Sequence, residues 1–281
     1  MANTLSHFIK RRSFLVCVDS DGCALDTMDI KHSRCFGPCI IREWGLEPWR
    51  DELLTRWNEI NLYTRTRGIN RFQALAIMLA EVHEKYCEIQ DLDSLVQWVN
   101  DSPEPTISEL TCSAEATDSI CLKKALAWSE SVNQSVSLLA LEDKRPFEGV
   151  RRALARTHRY ADVAVLSNAN LQTVLDEWDF YGLLEYTDIV LAQDDGSKSR
   201  CIRELLKTGY ENNRVLLCGD APDDLAAAQE NHIFYYPVLV GHECESWTEF
   251  LSEGFERLRN GTYAGRYQQQ KIDMFLKNLD K

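Results

Sequence analysis

No apolar run in this chain approaches the length needed to cross a membrane, which removes a helical membrane anchor from the candidate roles. Residues 1–12 lack the apolar core of a secretion signal, so a cytoplasmic location is expected. Positive charge is scarce: 31 Lys and Arg stand against 44 Asp and Glu, a net charge of -13. That balance argues against nucleic acid as a partner, because a phosphate backbone demands a basic face. An acidic protein that handles a small anion must gather its few cations locally. The ten cysteines are scattered, and Cys17 and Cys218 sit inside apolar runs. Without an export signal they read as reduced thiols rather than a disulfide framework. Cys35 and Cys39 are spaced to share a helix face, yet no second pair or histidine cluster completes a zinc site, and small buried hydrophobes account for them. Repeats and low-complexity segments are also missing.

What is present is an ordinary globular composition, 44% hydrophobic and 27% charged over 281 residues, enough for two domains or one with a large insert. The most informative stretch is the apolar run Phe14-Leu15-Val16-Cys17-Val18, which ends in Asp19-Ser20-Asp21-Gly22. Such a run reads as a buried parallel strand, and open α/β sheets keep their ligands at the carboxyl ends of strands. Residues i and i+2 of a strand point the same way, so Asp19 and Asp21 can reach one phosphorus atom from the same side. Two neighbouring acids repel, and a divalent cation such as Mg2+ is the usual means of holding a phosphate against them. A solvent-exposed Asp-rich turn would have the same local sequence, so the rest of the chain must decide.

From Ala24 to about Arg145 the pattern is helical, with apolar residues at three-to-four spacing from Trp49 through Tyr86, further helices at Asp91–Val99 and Cys121–Leu141, and a break at Ser102–Thr106. Beyond Pro146 helices and strands alternate: helix from Val150, strand Ala161–Leu166, helix from Leu171, strand Asp188–Leu191, helix Ser199–Lys207, strand Arg214–Cys218, helix Asp223–Glu230, strand Tyr235–Val240. This alternation is the signature of a doubly wound parallel sheet, and Phe14 onward must join it across the helical insert. The tail reads as helices Trp247–Leu258 and Gln268–Leu279, split at Asn260-Gly261.

Three more strands end in residues suited to phosphoryl transfer. Val163–Leu166 runs into Ser167-Asn168, a hydroxyl and an amide that can bond phosphate oxygens, although such a pair alone is more often a helix cap. Lys198 falls near a helix N-terminus, where the dipole disfavours a cation and nearby acids or an anion would explain it. The strand Val215–Cys218 leads into Gly219-Asp220-Ala221-Pro222-Asp223-Asp224, in which Asp220 and Asp224 bracket a short turn and add hard oxygen donors of the kind Mg2+ prefers.

In this order the four elements resemble the haloacid dehalogenase superfamily, over Phe14–Leu25 and about Pro146–Val240. The helical insert looks like the cap of members similar to phosphoglycolate phosphatase and β-phosphoglucomutase. The resemblance implies an α/β fold: a Rossmann-like doubly wound parallel sheet with an inserted all-helical cap domain. It sets the core at residues 1–25 and 146–242, the cap at 26–145, and a C-terminal helical extension on the core at 243–281. It also implies a nucleophile at Asp19 that forms an aspartyl-phosphate, a general acid and base at Asp21, and a charge-compensating lysine at Lys198. Ser167, with Asn168 beside it, matches the phosphate-binding position; Mg2+ would be held by Asp19, the carbonyl of Asp21, Asp220 and Asp224. Cys23 departs from the threonine usual after the first glycine and could cost one hydroxyl hydrogen bond.

Cations concentrate at Arg65, Arg67 and Arg71, around Gly68, where a loop could clamp the anionic substrate; a solvated helix connection fits the same residues. For His32 packing is the plainer role. The reading is a Mg2+-dependent phosphohydrolase acting on a small phosphorylated metabolite. A phosphomutase would use the same residues to return the phosphoryl group to a sugar, and a binding protein could keep the fold without turnover.

Overall fold

The computed structural model describes residues 5, 8–102 and 105–280. Pro103 and Glu104, within the break read at Ser102–Thr106, lie outside them, as do Met1–Thr4, Ser6 and His7 of the N-terminal segment. The chain divides into two units, Met1–Thr27 with Ala140–Lys281, and Met28–Leu139. The first holds a five-stranded parallel sheet in the order β3-β2-β1-β4-β5, with β1 Phe14–Asp19, β2 Ala161–Leu166, β3 Ile189–Leu191, β4 Val215–Gly219 and β5 Phe234–Pro237.

β1 lies in the middle, with β2 on one side and β4 on the other. The chain therefore moves off in opposite directions from β1, and a crevice opens at the carboxyl ends of β1 and its neighbours. The register aligns those ends: Asp19 is level with Leu166, and Val18 with Cys218. Side chains alternate along β1 between two buried cores, Val16 and Val18 in one, Leu15 and Cys17 in the other. A strand covered on both faces explains the unbroken apolar run.

The unit Met28–Leu139 is helical, with no strand among its described residues: α1 Met28–Lys31, α2 Gly37–Trp44, α3 Arg50–Asn58, α4 Arg71–Lys85, α5 Leu92–Asp101, α6 Ile107–Thr117 and α7 Ile120–Ser137. Its core gathers Trp57, Phe72 and Trp128, ring against ring. Local signals set the helix starts. Asn70 accepts the Phe72 N–H to open α4, and Thr106 with Glu109 forms a capping box on α6. The long periodic stretch read from Trp49 to Tyr86 is split between α3 and α4 by a widened turn at Glu59–Tyr63 and a loop through Gly68, whose φ is 69°.

The remaining helices cover the two faces of the sheet: α8 Val150–Thr157, α9 Leu171–Phe180, α10 Lys198–Leu206, α11 Pro222–Glu230, α12 Glu243–Glu249, α13 Phe255–Arg259 and α14 Arg266–Asn278. Trp178 and the tail residues Trp247, Phe250, Phe255 and Leu258 fill the core of Val16 and Val18, while Ile202, Leu205, Leu225 and Phe275 fill that of Leu15 and Cys17. The last strand is shorter than its sequence pattern, ending at Pro237, and its final bond to β4 is the Val238 N–H on the Gly219 carbonyl at 2.8 Å. The helix read at Trp247–Leu258 instead starts at Glu243 and is interrupted by a widened turn at Phe250–Gly254, where a Cβ on Gly254 would lie 2.9 Å from the Tyr236 ring. Residues 140–146 belong with the sheet unit for a physical reason. Asp26 N–H donates to the Arg145 carbonyl (2.7 Å), Leu25 bridges Pro146, and Lys144 forms a buried ion pair with Glu177 of α9 (3.1 Å).

Candidate active site

The end of β1 carries Asp19 into the crevice almost buried, at 5% exposure. The chain turns at Gly22, whose φ of 82° is open to glycine at little cost, and Gly22 N–H closes the turn on the Leu25 carbonyl at 2.8 Å. Asp21 projects from the same turn, and its Oδ1 accepts the Thr27 hydroxyl at 2.5 Å. Ser20, between the two acids, points the other way and accepts the indole N–H of Trp178 at 2.9 Å.

β4 delivers the second group of acids. Asp220 follows Gly219, and Asp224 in the first turn of α11 folds back so that its Oδ2 accepts the Ala221 N–H at 3.1 Å. This fold-back requires glycine: a Cβ on residue 219 would sit 2.3 Å from Asp224 Cγ. Lys198, the first residue of α10, reaches across both loops, with its Nζ 3.0 Å from Asp19 Oδ1 and 2.6 Å from Asp224 Oδ1. Two carboxylates thus explain a cation at the unfavourable end of a helix.

Oxygens of Asp19, Asp220 and Asp224 lie within 4.8 Å of one another, all buried. Burial pushes Asp19 up to about 7, opposed by Lys198 and reinforced by Asp220 and Asp21. Burial likewise raises Asp224 to about 7 against the pull of Lys198. For Lys198 burial works against the charge, but Asp19 and Asp224 outweigh it and hold the ammonium well above its usual range. Three buried carboxylates around one ammonium leave an excess of negative charge that a hard divalent cation suits by donor type, number and spacing.

Ser167 follows Leu166, the β2 residue level with Asp19, and is 5% exposed; its Oγ accepts the Ala169 N–H at 3.1 Å, so its own proton can be donated outward. Asn168 beside it is exposed. Of the three arginines, all in the helical unit, Arg65 is exposed, Arg67 is 4% exposed and donates to the Leu62 carbonyl (2.7 Å), and Arg71 bonds Ser129 (3.2 Å) and Asn133 (2.8 Å) with its guanidinium over the Phe36 ring. The structure therefore gathers Asp19, Lys198, Asp220 and Asp224 in one cluster, sets Asp21 and Ser167 at the strand ends beside it, and uses Arg67 and Arg71 for bonds within their own unit. His32 is 8% exposed and accepts the Trp57 indole N–H at 3.1 Å. Cys23 is fully buried, and burial together with Asp220 and Asp19 holds its thiol well above the usual range. Among the described residues, no cysteine group able to hold a metal ion is present. Sequence reasoning passed over Thr27, and its only signal is a hydroxyl six residues after Asp21.

The sequence profile of the haloacid dehalogenase-like hydrolases matches residues 69–238, more than half of the chain. The chain belongs to this family. The match starts beyond β1, so Asp19 and Asp21 join the other site residues through the sheet register rather than through matched sequence. No curated protein matches the chain. Among solved structures, a protein assigned as a phosphoglycolate phosphatase from Lactobacillus delbrueckii is similar at 16% identity and a TM-score of 0.53, over 81% of this chain and 86% of that one. A haloacid dehalogenase-like hydrolase from Bacteroides fragilis is similar at 11% identity and a TM-score of 0.51, over 83% of this chain and 92% of that one. At these identities the likeness is one of fold.

Proposed function

We propose that this haloacid dehalogenase-like hydrolase is a Mg2+-dependent phosphatase of small phosphorylated metabolites that works through an aspartyl-phosphate on Asp19. The observation that carries the reading is the buried cluster of Asp19, Asp220 and Asp224 with Lys198 bonded to two of them. Asp19, Asp220 and Asp224 would hold Mg2+ together with the Asp21 carbonyl, and the ion would neutralise phosphate charge as the nucleophile approaches.

A carboxylate oxygen of Asp19 attacks phosphorus, and the bond to the leaving oxygen breaks. Asp21 supplies that oxygen with a proton. In the second step Asp21 takes a proton from water, which attacks phosphorus and releases phosphate and free Asp19. The Thr27 hydroxyl on Asp21 Oδ1 fixes the orientation of the carboxyl that exchanges the proton. Lys198 offsets the charge that builds on Asp19 and the transferring group. Ser167, with Asn168, bonds the phosphate oxygens; of the arginines in the helical unit, Arg65 is the exposed one and the candidate for an anionic group, while Arg67 and Arg71 are bonded to Leu62, Ser129 and Asn133.

The test is release of inorganic phosphate from an aryl phosphate and a panel of sugar phosphates, with and without Mg2+. Asp19→Asn is expected to reduce turnover at least about a thousandfold, as loss of a covalent nucleophile does. Transfer of the group between sugar positions without net phosphate release would assign a mutase instead. No turnover across the panel would remove the enzymatic reading.

A further inference from the structure

The strand-end loops carry mutually repelling carboxylates, yet chemistry at phosphorus tolerates only about half an ångström of misplacement. Loops are ordinarily the mobile part of a fold. Three buried aromatic donors counter this. The Trp178 indole N–H, on α9, donates to Ser20 Oγ at 2.9 Å, between Asp19 and Asp21. The Trp247 indole N–H, on α12, donates to the Cys23 carbonyl at 2.9 Å, two residues past Asp21. The Tyr235 hydroxyl, on β5, donates to the Gly219 carbonyl at 3.0 Å, one residue before Asp220. All three side chains are fully buried, the indoles in the core on one face of the sheet and the phenol in the core on the other.

We propose that Trp178, Trp247 and Tyr235 are positioning residues for the reaction, a clamp that grips the β1 and β4 loops from both sides of the sheet and keeps Asp19, Asp21 and Asp220 in register. A buried indole or phenol must satisfy its polar hydrogen, and each of these spends it within two residues of a site acid. The rings are rigid, with two torsions each and dense packing around them, so the bond transmits the position of the core to the loop. Tyr235 is itself held in place, its carbonyl accepting the Tyr263 hydroxyl at 2.7 Å. Trp247 lies outside the alternating strand and helix pattern, which gives the C-terminal helices a part in the site rather than only in the core. The inference rests on the phosphatase reading above.

Trp178→Phe, Trp247→Phe and Tyr235→Phe remove the donor and keep a ring. With saturating Mg2+ and an aryl phosphate, the tryptophan variants are expected to lose three- to tenfold in kcat with KM unchanged within twofold. Ser20→Ala, a smaller change that guards against misfolding, should show the same loss as Trp178→Phe, and the double variant no further loss, because both delete one bond. Tyr235→Phe is expected to weaken Mg2+ affinity three- to tenfold by calorimetry, because the bond it deletes holds the carbonyl of the residue that precedes Asp220. Folded variants with wild-type kcat and Mg2+ affinity, or additive losses in the Ser20 and Trp178 pair, would overturn the clamp. Should wild-type protein release no phosphate, the reading of function fails, while Mg2+ affinity in Tyr235→Phe still decides the clamp.

Discussion

At the scale of single residues, the site is built by positions that leave no freedom. Gly219 is the tightest: a Cβ there would meet Asp224 at 2.3–2.5 Å through Cγ, Cβ and Oδ2. Asp224 is fully buried and bonded to Lys198 and to the Ala221 N–H, so it cannot move without breaking both bonds. Gly219→Ala is expected to lower the free energy of unfolding by at least about 2 kcal/mol in denaturant titration and to abolish phosphate release. A stable, active variant would show that Asp224 relaxes easily. Thr27 provides a milder test, since its buried hydroxyl donates to Asp21 and has only a longer second contact, 3.4 Å, with the Leu25 carbonyl. Thr27→Val should lower kcat about tenfold at constant KM, while Thr27→Ser retains the donor and most of the rate. Equal rates in the two variants would remove Thr27 from the reaction. Asp19, Asp21, Asp220, Asp224 and Lys198 could be read from the sequence because each follows a strand or opens a helix, where backbone direction fixes the side chain. Thr27, Trp178 and Tyr235 could not. Their partners lie across the fold or past an irregular turn, and no local period points to them.

At the scale of elements, strand-to-helix alternation was readable because most strands are apolar runs bounded by polar turns, with Asp162 of β2 the buried exception. Where the structure departs, tertiary contact decides, as when Gly254 yields to the Tyr236 ring and splits the helix that periodicity alone would continue. A second tertiary feature is silent in sequence. Lys144 and Glu177, 3% and 1% exposed, pair at 3.1 Å and fasten the segment before Pro146 to α9, the helix that carries Trp178. Removing one partner of a buried pair leaves the other charge in a poorly solvated place. Glu177→Gln is therefore expected to cost about 3–5 kcal/mol of stability by denaturant unfolding, and the double change Lys144→Met with Glu177→Leu much less. If both variants unfold at the wild-type midpoint, the pair is not a fastening.

For the whole molecule, net charge and site charge have the same sign, -13 over the chain and an excess of carboxylates in the crevice. Folding without a cation then carries a pH-dependent penalty whose sign can be worked out. Asp19 and Asp224 are raised to about 7 chiefly by burial, against an unfolded value near 3.8. The folded state binds the extra protons, so their stabilisation is complete below about pH 4 and is lost as pH rises through about 7. A divalent cation replaces those protons and is opposed by them at low pH. The gain in melting temperature on adding Mg2+ should accordingly be small near about pH 5 and reach several degrees near about pH 8. Asp220→Asn, which removes one donor and one charge, should flatten that dependence by raising metal-free stability at high pH and reducing the gain from Mg2+. A gain that is independent of pH, or that survives Asp220→Asn intact, would mean that the cation binds elsewhere, and the carboxylate cluster would lose its place in the reaction.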